Sequence, residues 1–282
     1  MRSWLFVPGD SERKINKALS GSADIIILDL EDSVALDNKP AARSIVAELL
    51  ANRPETTSRI FVRVNALDSN QMDQDLKALS NVAPDGYMLP KTNHGHDVEQ
   101  FAELVKTERP IIAIATETAA SLFTLGTYDG IKAPLSAMTW GAEDLSAELG
   151  SQATRNDDGL FSDPFRLARS LCLAGARAAQ VEPIDSVYAN FRDMVGFERE
   201  CHEAVRDGFT GKMAIHPDQV PLINKTFTPS AQAVEQARYI VDAFAQSPGT
   251  GVISLNGQMY DIPHLKRAEK LLKRAEHYNI TT

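Results

Sequence analysis

Residues 24–34 read Asp-Ile-Ile-Ile-Leu-Asp-Leu-Glu-Asp-Ser-Val, a continuous apolar run from Asp24 to Leu30 that ends abruptly in carboxylates. Short β-branched, apolar runs of this kind, recurring with helical stretches between them, predict a parallel sheet covered by helices. Seven further runs share this character: Trp4 to Val7, Ile60 to Val64, Tyr87 to Leu89, Ile111 to Ala115, Ala137 to Trp140, Ile184 to Val187 and Lys212 to Ile215. Helical spacing of apolar residues lies between them, over Lys39 to Asn52, Gln71 to Ser80, Val98 to Thr107 and Pro164 to Ala179, with Asp163 read as the N-cap of the last. Eight strands alternating with helices predict an α/β fold, a closed (β/α)8 TIM barrel, with an open doubly wound sheet as the other architecture. After Asn224 the rhythm changes: Ser230 to Ala245 reads as a closing helix, Gly249 to Gly257 as a Gly-rich passage, and another helix starts at Ile262. The expected division is a barrel over residues 1–225 and a C-terminal helical extension over 226–282.

Composition narrows the function. With 43% hydrophobic and 24% charged residues, the chain has enough apolar material for a sizeable core. Acidic side chains outnumber basic ones by 38 to 29, and the resulting charge of -9 argues against a nonspecific grip on nucleic acid or an anionic membrane. The two cysteines, Cys172 and Cys201, form no CxxC pair, and neither a signal-like N-terminus nor a spanning apolar stretch is present; a cytoplasmic, reducing location is expected.

In a barrel, polar residues at the C-terminal ends of strands converge on one mouth. Asp29, Glu31 and Asp32 follow the second run, Arg63 lies in the third, Lys91 follows the fourth, Glu117 the fifth, and Glu143 and Asp144 the sixth. Crowded carboxylates repel one another unless a cation offsets them, and a hard divalent ion such as Mg2+ is the simplest candidate. Glu117 and Asp144, from two strand ends, are the chosen pair; helix capping explains the same spacing equally well. Asp29, Glu31 and Asp32 read as outer supports of the site. Arg63 calls for an anionic partner, either a substrate carboxylate or oxyanion, or a structural ion pair with Glu31 or Asp32. Arg13 and Lys17, a helical turn apart behind Gly9, suit phosphate groups but also an ordinary surface helix. His216 receives no acid/base role, and Asp261, just before a helix, reads as an N-cap.

Taken in order, RSWLFVPGD (2–10), ILDLEDSV (27–34) with KPAAR (39–43), FVRVNAL (61–67), MLPK (88–91), ATETA (115–119), WGAEDL (140–145), GFTGKMAIHP (208–217) and LNGQMYDIPHLKRA (255–268) span nearly the whole chain. The set resembles the citrate lyase beta subunit family, which includes malyl-CoA and citramalyl-CoA lyases and belongs with the HpcH/HpaI aldolases. The resemblance implies Mg2+ on Glu117 and Asp144, Arg63 at the acyl portion and enolate, and the coenzyme A moiety at Phe6, Arg13, Lys17, Ile215 and His216. It also turns Asp261 into a candidate acid/base on a C-terminal lid that closes over a neighbouring subunit, and so implies a homo-oligomer, a trimer or hexamer. The implied reaction is retro-Claisen cleavage of a 3-hydroxyacyl-CoA to acetyl-CoA and a 2-oxo acid. The alternatives are a citrate lyase beta subunit working on an acyl-carrier-protein thioester, a 2-oxo acid aldolase, a malyl-CoA thioesterase and, in the contrasting class, a non-catalytic binding protein.

Overall fold

The computed structural model describes residues 1–280. In chain order the elements are β1 (Ser3–Pro8), α1 (Glu12–Leu19), β2 (Ile25–Asp29), α2 (Lys39–Ala51), β3 (Arg59–Arg63), α3 (Met72–Leu79), β4 (Gly86–Leu89), α4 (Gly95–Val105), β5 (Ile111–Ile114), β6 (Leu135–Thr139), α5 (Ala142–Leu149), α6 (Asp163–Ala178), β7 (Glu182–Asp185), α7 (Met194–Asp207), β8 (Gly211–Ala214), α8 (Val220–Phe227), α9 (Ala231–Ala245), β9 (Val252–Leu255), β10 (Gln258–Asp261) and α10 (Ile262–His277). Strands β1 to β8 pair in parallel in sequence order, and β8 returns to β1 through Ser3 with Lys212, Trp4 with Met213 and Leu5 with Ala214. The sheet is therefore a closed barrel, and the open-sheet alternative is excluded. The connection from β5 to β6 carries two short 3-10 turns, Ala120–Phe123 and Leu125–Tyr128, in place of an α-helix.

Alternation along the strands decides what fills the barrel and what faces the helices. Trp4, Ile25, Ile27, Phe61, Met88, Ile112, Ile114, Ala137, Ile184 and Met213 pack together inside. Trp4 meets Phe61 edge to face, with ring centroids 5.9 Å apart. Two residues further along β2 and β3, the same inward parity places Asp29 and Arg63, which are register partners, above this apolar plug. The outward positions of β7 and β8 hold a buried polar network. Lys212 Nζ donates to Asp185 Oδ2 (2.8 Å), Glu200 Oε1 (2.9 Å) and the Ser186 carbonyl (2.8 Å). Asp185 also accepts from Trp140 Nε1 (2.8 Å) and Arg169 Nε (3.0 Å). Burial pushes the Asp185 carboxyl up, but the charges of Lys212 and Arg169 outweigh it and hold the group down at about 2.

The chain separates into two compact units, the barrel through Asn224 and a smaller unit from Lys225 onward. The smaller unit packs Ala237, Ile240 and Phe244 of α9 against Ala268 of α10. Three sequence-based readings need correction. Asp163 is the first residue of α6 and not its cap, because Ser162 holds the extended cap conformation and Pro164 follows within the first turn. Helix α4 starts at Gly95, three residues before the expected Val98, because the Asp97 carboxylate accepts the backbone N–H groups of Asn93 (2.6 Å) and His94 (3.2 Å) and closes the first turn early. The Gly-rich passage is a β-hairpin, β9 with β10, turned by Asn256 and Gly257 at φ 51° and 79°. Two successive left-handed residues make the tight turn that matches strand twist, and Asn-Gly favours it.

Candidate active site

The mouth at the C-terminal ends of the strands is organised by two cations among five carboxylates. Arg63 donates Nε and Nη2 to the two oxygens of Asp29 (2.7 and 2.6 Å) and pairs through Nη1 with Glu31 (3.0 Å), while its guanidinium lies 4.8 Å over the Phe6 ring. Asp29 is fully buried and also accepts the N–H groups of Glu31 and Ser33, so it braces the turn after β2 as well as the arginine. The ion pair of Arg63 is thus with Asp29 and Glu31, and Asp32 takes no part in it. Lys39, the first residue of α2, buries its ammonium on the carbonyls of Leu30 and Glu31 and on Asn65 Oδ1, which locks the same turn.

Lys91 is the second cation. Its Nζ contacts Glu31 Oε1, both oxygens of Asp32 (3.3 and 3.2 Å) and Asp144 Oδ1 (3.4 Å), and its backbone N–H donates to Glu117 Oε2 (2.6 Å). Glu117 and Asp144 are therefore brought to one residue. Neither is a helix cap. Helix α5 begins after Gly141 with no side-chain cap, and Asp144 sits in its first turn with its carboxylate turned to Lys91. An added Cβ at Gly141 would lie 2.7 Å from Glu117 Cγ and 2.9 Å from its Oε1, so a glycine there admits the Glu117 side chain.

The five carboxylates outnumber the Arg63, Lys91 and Lys39 cations beside them, and the excess is visible in the buried Glu117 and Glu31. Burial first, then repulsion from Asp144, pushes Glu117 up to about 8 against the pull of the Lys91 N–H and Arg63. Burial likewise pushes Glu31 up to about 7, with Asp32 adding to it and Arg63 and Lys91 opposing. Such a site favours a further positive charge. Its donors are oxygens only, which suits a hard ion such as Mg2+. Among the described residues no group of three His, Cys, Asp or Glu side chains is arranged to hold a metal.

The remaining predicted residues lie on α1, on the loop after β8 and in the smaller unit. Arg13 and Lys17 are exposed on α1. Ile215 is 40% exposed just after β8, and His216 is stacked on Phe191 with ring centroids 4.7 Å apart. Gln219 fixes this loop by accepting the N–H groups of Ile215 (2.9 Å) and His216 (3.1 Å). A cavity of about 300 Å³ opens beside the start of α5, between the turn at 154–161 and the loop after β7, and is lined by Glu143, Arg155, Phe161, Tyr188 and Asn190. Asp261 belongs to the smaller unit, where it caps α10 by accepting from the His264 N–H (3.3 Å) and also bonds the His264 ring. That hydrogen bond holds its carboxyl below the ordinary aspartate value. Lys91 is the residue whose importance the sequence reading passed over. Its place directly after a strand, amid acids from three other strand ends, was the available signal.

Comparison with known proteins agrees with this fold. The family model described as HpcH/HpaI aldolase/citrate lyase matches residues 2–217, and one described as a carbon–carbon bond lyase of the TIM-barrel fold matches residues 164–280. The mitochondrial citramalyl-CoA lyase of Mus musculus is 34% identical over 97% of this chain and 86% of its own. The (3S)-malyl-CoA thioesterase of Cereibacter sphaeroides is 35% identical over 98% of this chain and 94% of its own. The crystal structure of CitE from Mycobacterium tuberculosis in complex with magnesium, acetoacetate and coenzyme A superposes with a TM-score of 0.83 at 35% identity, covering 98% of each chain. No helix among the described residues is long and apolar enough to cross a membrane.

Proposed function

The chain belongs to the HpcH/HpaI aldolase/citrate lyase family and is a carbon–carbon lyase, and on that premise we propose that it cleaves a 3-hydroxyacyl-CoA of the malyl-CoA or citramalyl-CoA type to acetyl-CoA and a 2-oxo acid. The observation that carries this reading is the buried, cation-seeking Glu117 beside Asp144 at the barrel mouth, a short reach from the Arg63 guanidinium that its charge influences. Glu117 and Asp144 would hold Mg2+, which supplies Lewis-acid polarisation of the substrate's oxygens. The magnesium and coenzyme A in the Mycobacterium structure support both the ion and the thioester class.

Cleavage passes the hydroxyl proton to solvent as the carbinol oxygen becomes the carbonyl of the 2-oxo acid, breaks the bond between the carbinol carbon and the adjacent methylene, and leaves the electron pair on the thioester enolate, which then takes up one proton at carbon. Arg63, held by Asp29 and Glu31 with donors to spare, would stabilise that oxyanion. Asp261 of a neighbouring subunit would close over the mouth and exchange the proton at the carbon that becomes the methyl group. Phe6, Arg13, Lys17, Ile215 and His216 would receive the coenzyme A moiety, with Arg13 and Lys17 facing its phosphates. This arrangement implies a homo-oligomer, for which the family resemblance suggests a trimer or hexamer.

The direct test supplies the purified protein with Mg2+ and malyl-CoA or citramalyl-CoA and follows 2-oxo acid and acetyl-CoA. Equal yields of the two, abolished in Glu117→Gln, establish the reading; no 2-oxo acid from either thioester overturns it. The Cereibacter relative favours one second reading, thioester hydrolysis, which free coenzyme A in excess of acetyl-CoA would reveal.

A further inference from the structure

Lys91 stands where a metal's charge is needed, and the chain spends backbone strain to put it there. Its φ of 54° lies in the left-handed region that a non-glycine residue rarely adopts. The turn is held by the Lys91 N–H on Glu117 Oε2 (2.6 Å) and by Thr92, whose N–H and hydroxyl both donate to the Ile114 carbonyl (3.3 and 2.8 Å). The ammonium then bridges the turn after β2, through Glu31 and Asp32, to α5, through Asp144. These contacts are unequal. Glu31 is buried and lies closest, whereas Asp144 is the longest contact at 3.4 Å and its side chain is 35% exposed. Lysine is a compact charge on a flexible stem, so it can give up its outer partner and keep the inner one.

Resting on the reading that Glu117 and Asp144 hold Mg2+, we infer that Lys91 is a built-in counter-cation that competes with the ion for Asp144 and thereby limits how tightly the enzyme holds it. Without the ion, Lys91 keeps the carboxylates assembled; with it, Lys91 stays on Glu31 as a positive charge beside the ion. Removing that charge has two effects of opposite sign. The ion-free protein loses stability, while affinity for the ion rises. A lysine that merely braced the site would, when removed, lower both.

The test is Mg2+ titration by calorimetry, with thermal melts in chelator and in Mg2+, on the full-length chain and its Lys91→Asn, Lys91→Gln, Lys91→Arg, Glu117→Gln and Asp144→Asn variants. Asn accepts the left-handed backbone and is neutral, and Gln carries the same comparison should the Asn variant not fold. The neutral variants should bind Mg2+ roughly tenfold more tightly, melt lower in chelator and gain more from Mg2+, while Lys91→Arg stays near the parent. Unchanged or weaker Mg2+ binding in neutral variants that melt cooperatively overturns the inference and leaves the metal assignment standing. Undiminished Mg2+ binding in both Glu117→Gln and Asp144→Asn overturns the metal assignment, and the inference with it.

Discussion

Glu117 shows how little room a reactive carboxylate needs and how much its neighbours decide. The main chain of Gly141 leaves the gap that the Glu117 side chain fills, so Gly141→Ala should displace it without touching any charge. Because such supporting contacts commonly govern a ligand's position, Mg2+ affinity should fall about 10- to 100-fold by calorimetry; unaltered binding would remove Glu117 from the metal site. Asp29 illustrates the limit of spacing arguments. In sequence it is one of three similar acids after β2, yet inward parity and a fork of two hydrogen bonds make it the principal anchor of Arg63, while Asp32, 52% exposed, meets only Lys91 among the cations. Which carboxylate faces which cation is a matter of side-chain direction across three strands, and no local pattern carries it.

Among the elements, the hairpin and helix that present Asp261 separate a structural role from a chemical one. Asp261 caps α10, and asparagine is nearly as good an N-cap as aspartate while being unable to exchange the proton. Asp261→Asn should therefore keep the parent melting behaviour and lose turnover, whereas Asp261→Ala should lose turnover and also loosen the start of α10. Turnover retained by Asp261→Asn would rule out the acid/base role. The strands were readable because short apolar runs recur between helical stretches, although β3, β7 and β8 carry Arg63, Asp185 and Lys212 within them. The hairpin was missed although its Asn256-Gly257 signal stood in the sequence, because β9 and β10 are half-exposed, only four residues each, and follow Gly249 and Gly251 in a stretch that reads as loop. The early start of α4 likewise hangs on Asp97, whose hydrogen bonds lie outside any apolar periodicity.

At the scale of the molecule, the Lys212 network couples β7 and β8 to α6 and α7. Lys212→Met would take the fully buried cation from Asp185 and Glu200, leaving Arg169 and Arg155 as their remaining partners, and should cost about 1–3 kcal/mol in urea unfolding. The sign of its pH dependence follows from Asp185, held at about 2 against a usual 3.8. A folded-state value below the unfolded one contributes stability that is complete above about pH 4 and is lost as the pH falls through that value towards 2. Lys212→Met should remove part of this acid-labile contribution, Arg169 retaining the rest, and an acid-unfolding profile parallel to the parent's would contradict the assignment. If Asp261 serves a neighbour's site, mixing Asp261→Asn with Glu117→Gln subunits and allowing exchange should restore up to about a quarter of parental activity. No recovery from two exchanging, inactive parents would place each site within one chain.

The sequence by itself determined the eight alternating strands and helices and the end at which charged residues gather, while the return of β8 to β1 decided closure into a barrel. The strands and that end follow from where apolar runs stop and carboxylates begin. Only the tertiary structure decided that Arg63 is clasped by Asp29 and Glu31, that Glu117 fits against Gly141, and that Lys91 joins acids from three strand ends. Each of those contacts joins residues distant in sequence, and each depends on directions and distances that closure of the barrel creates.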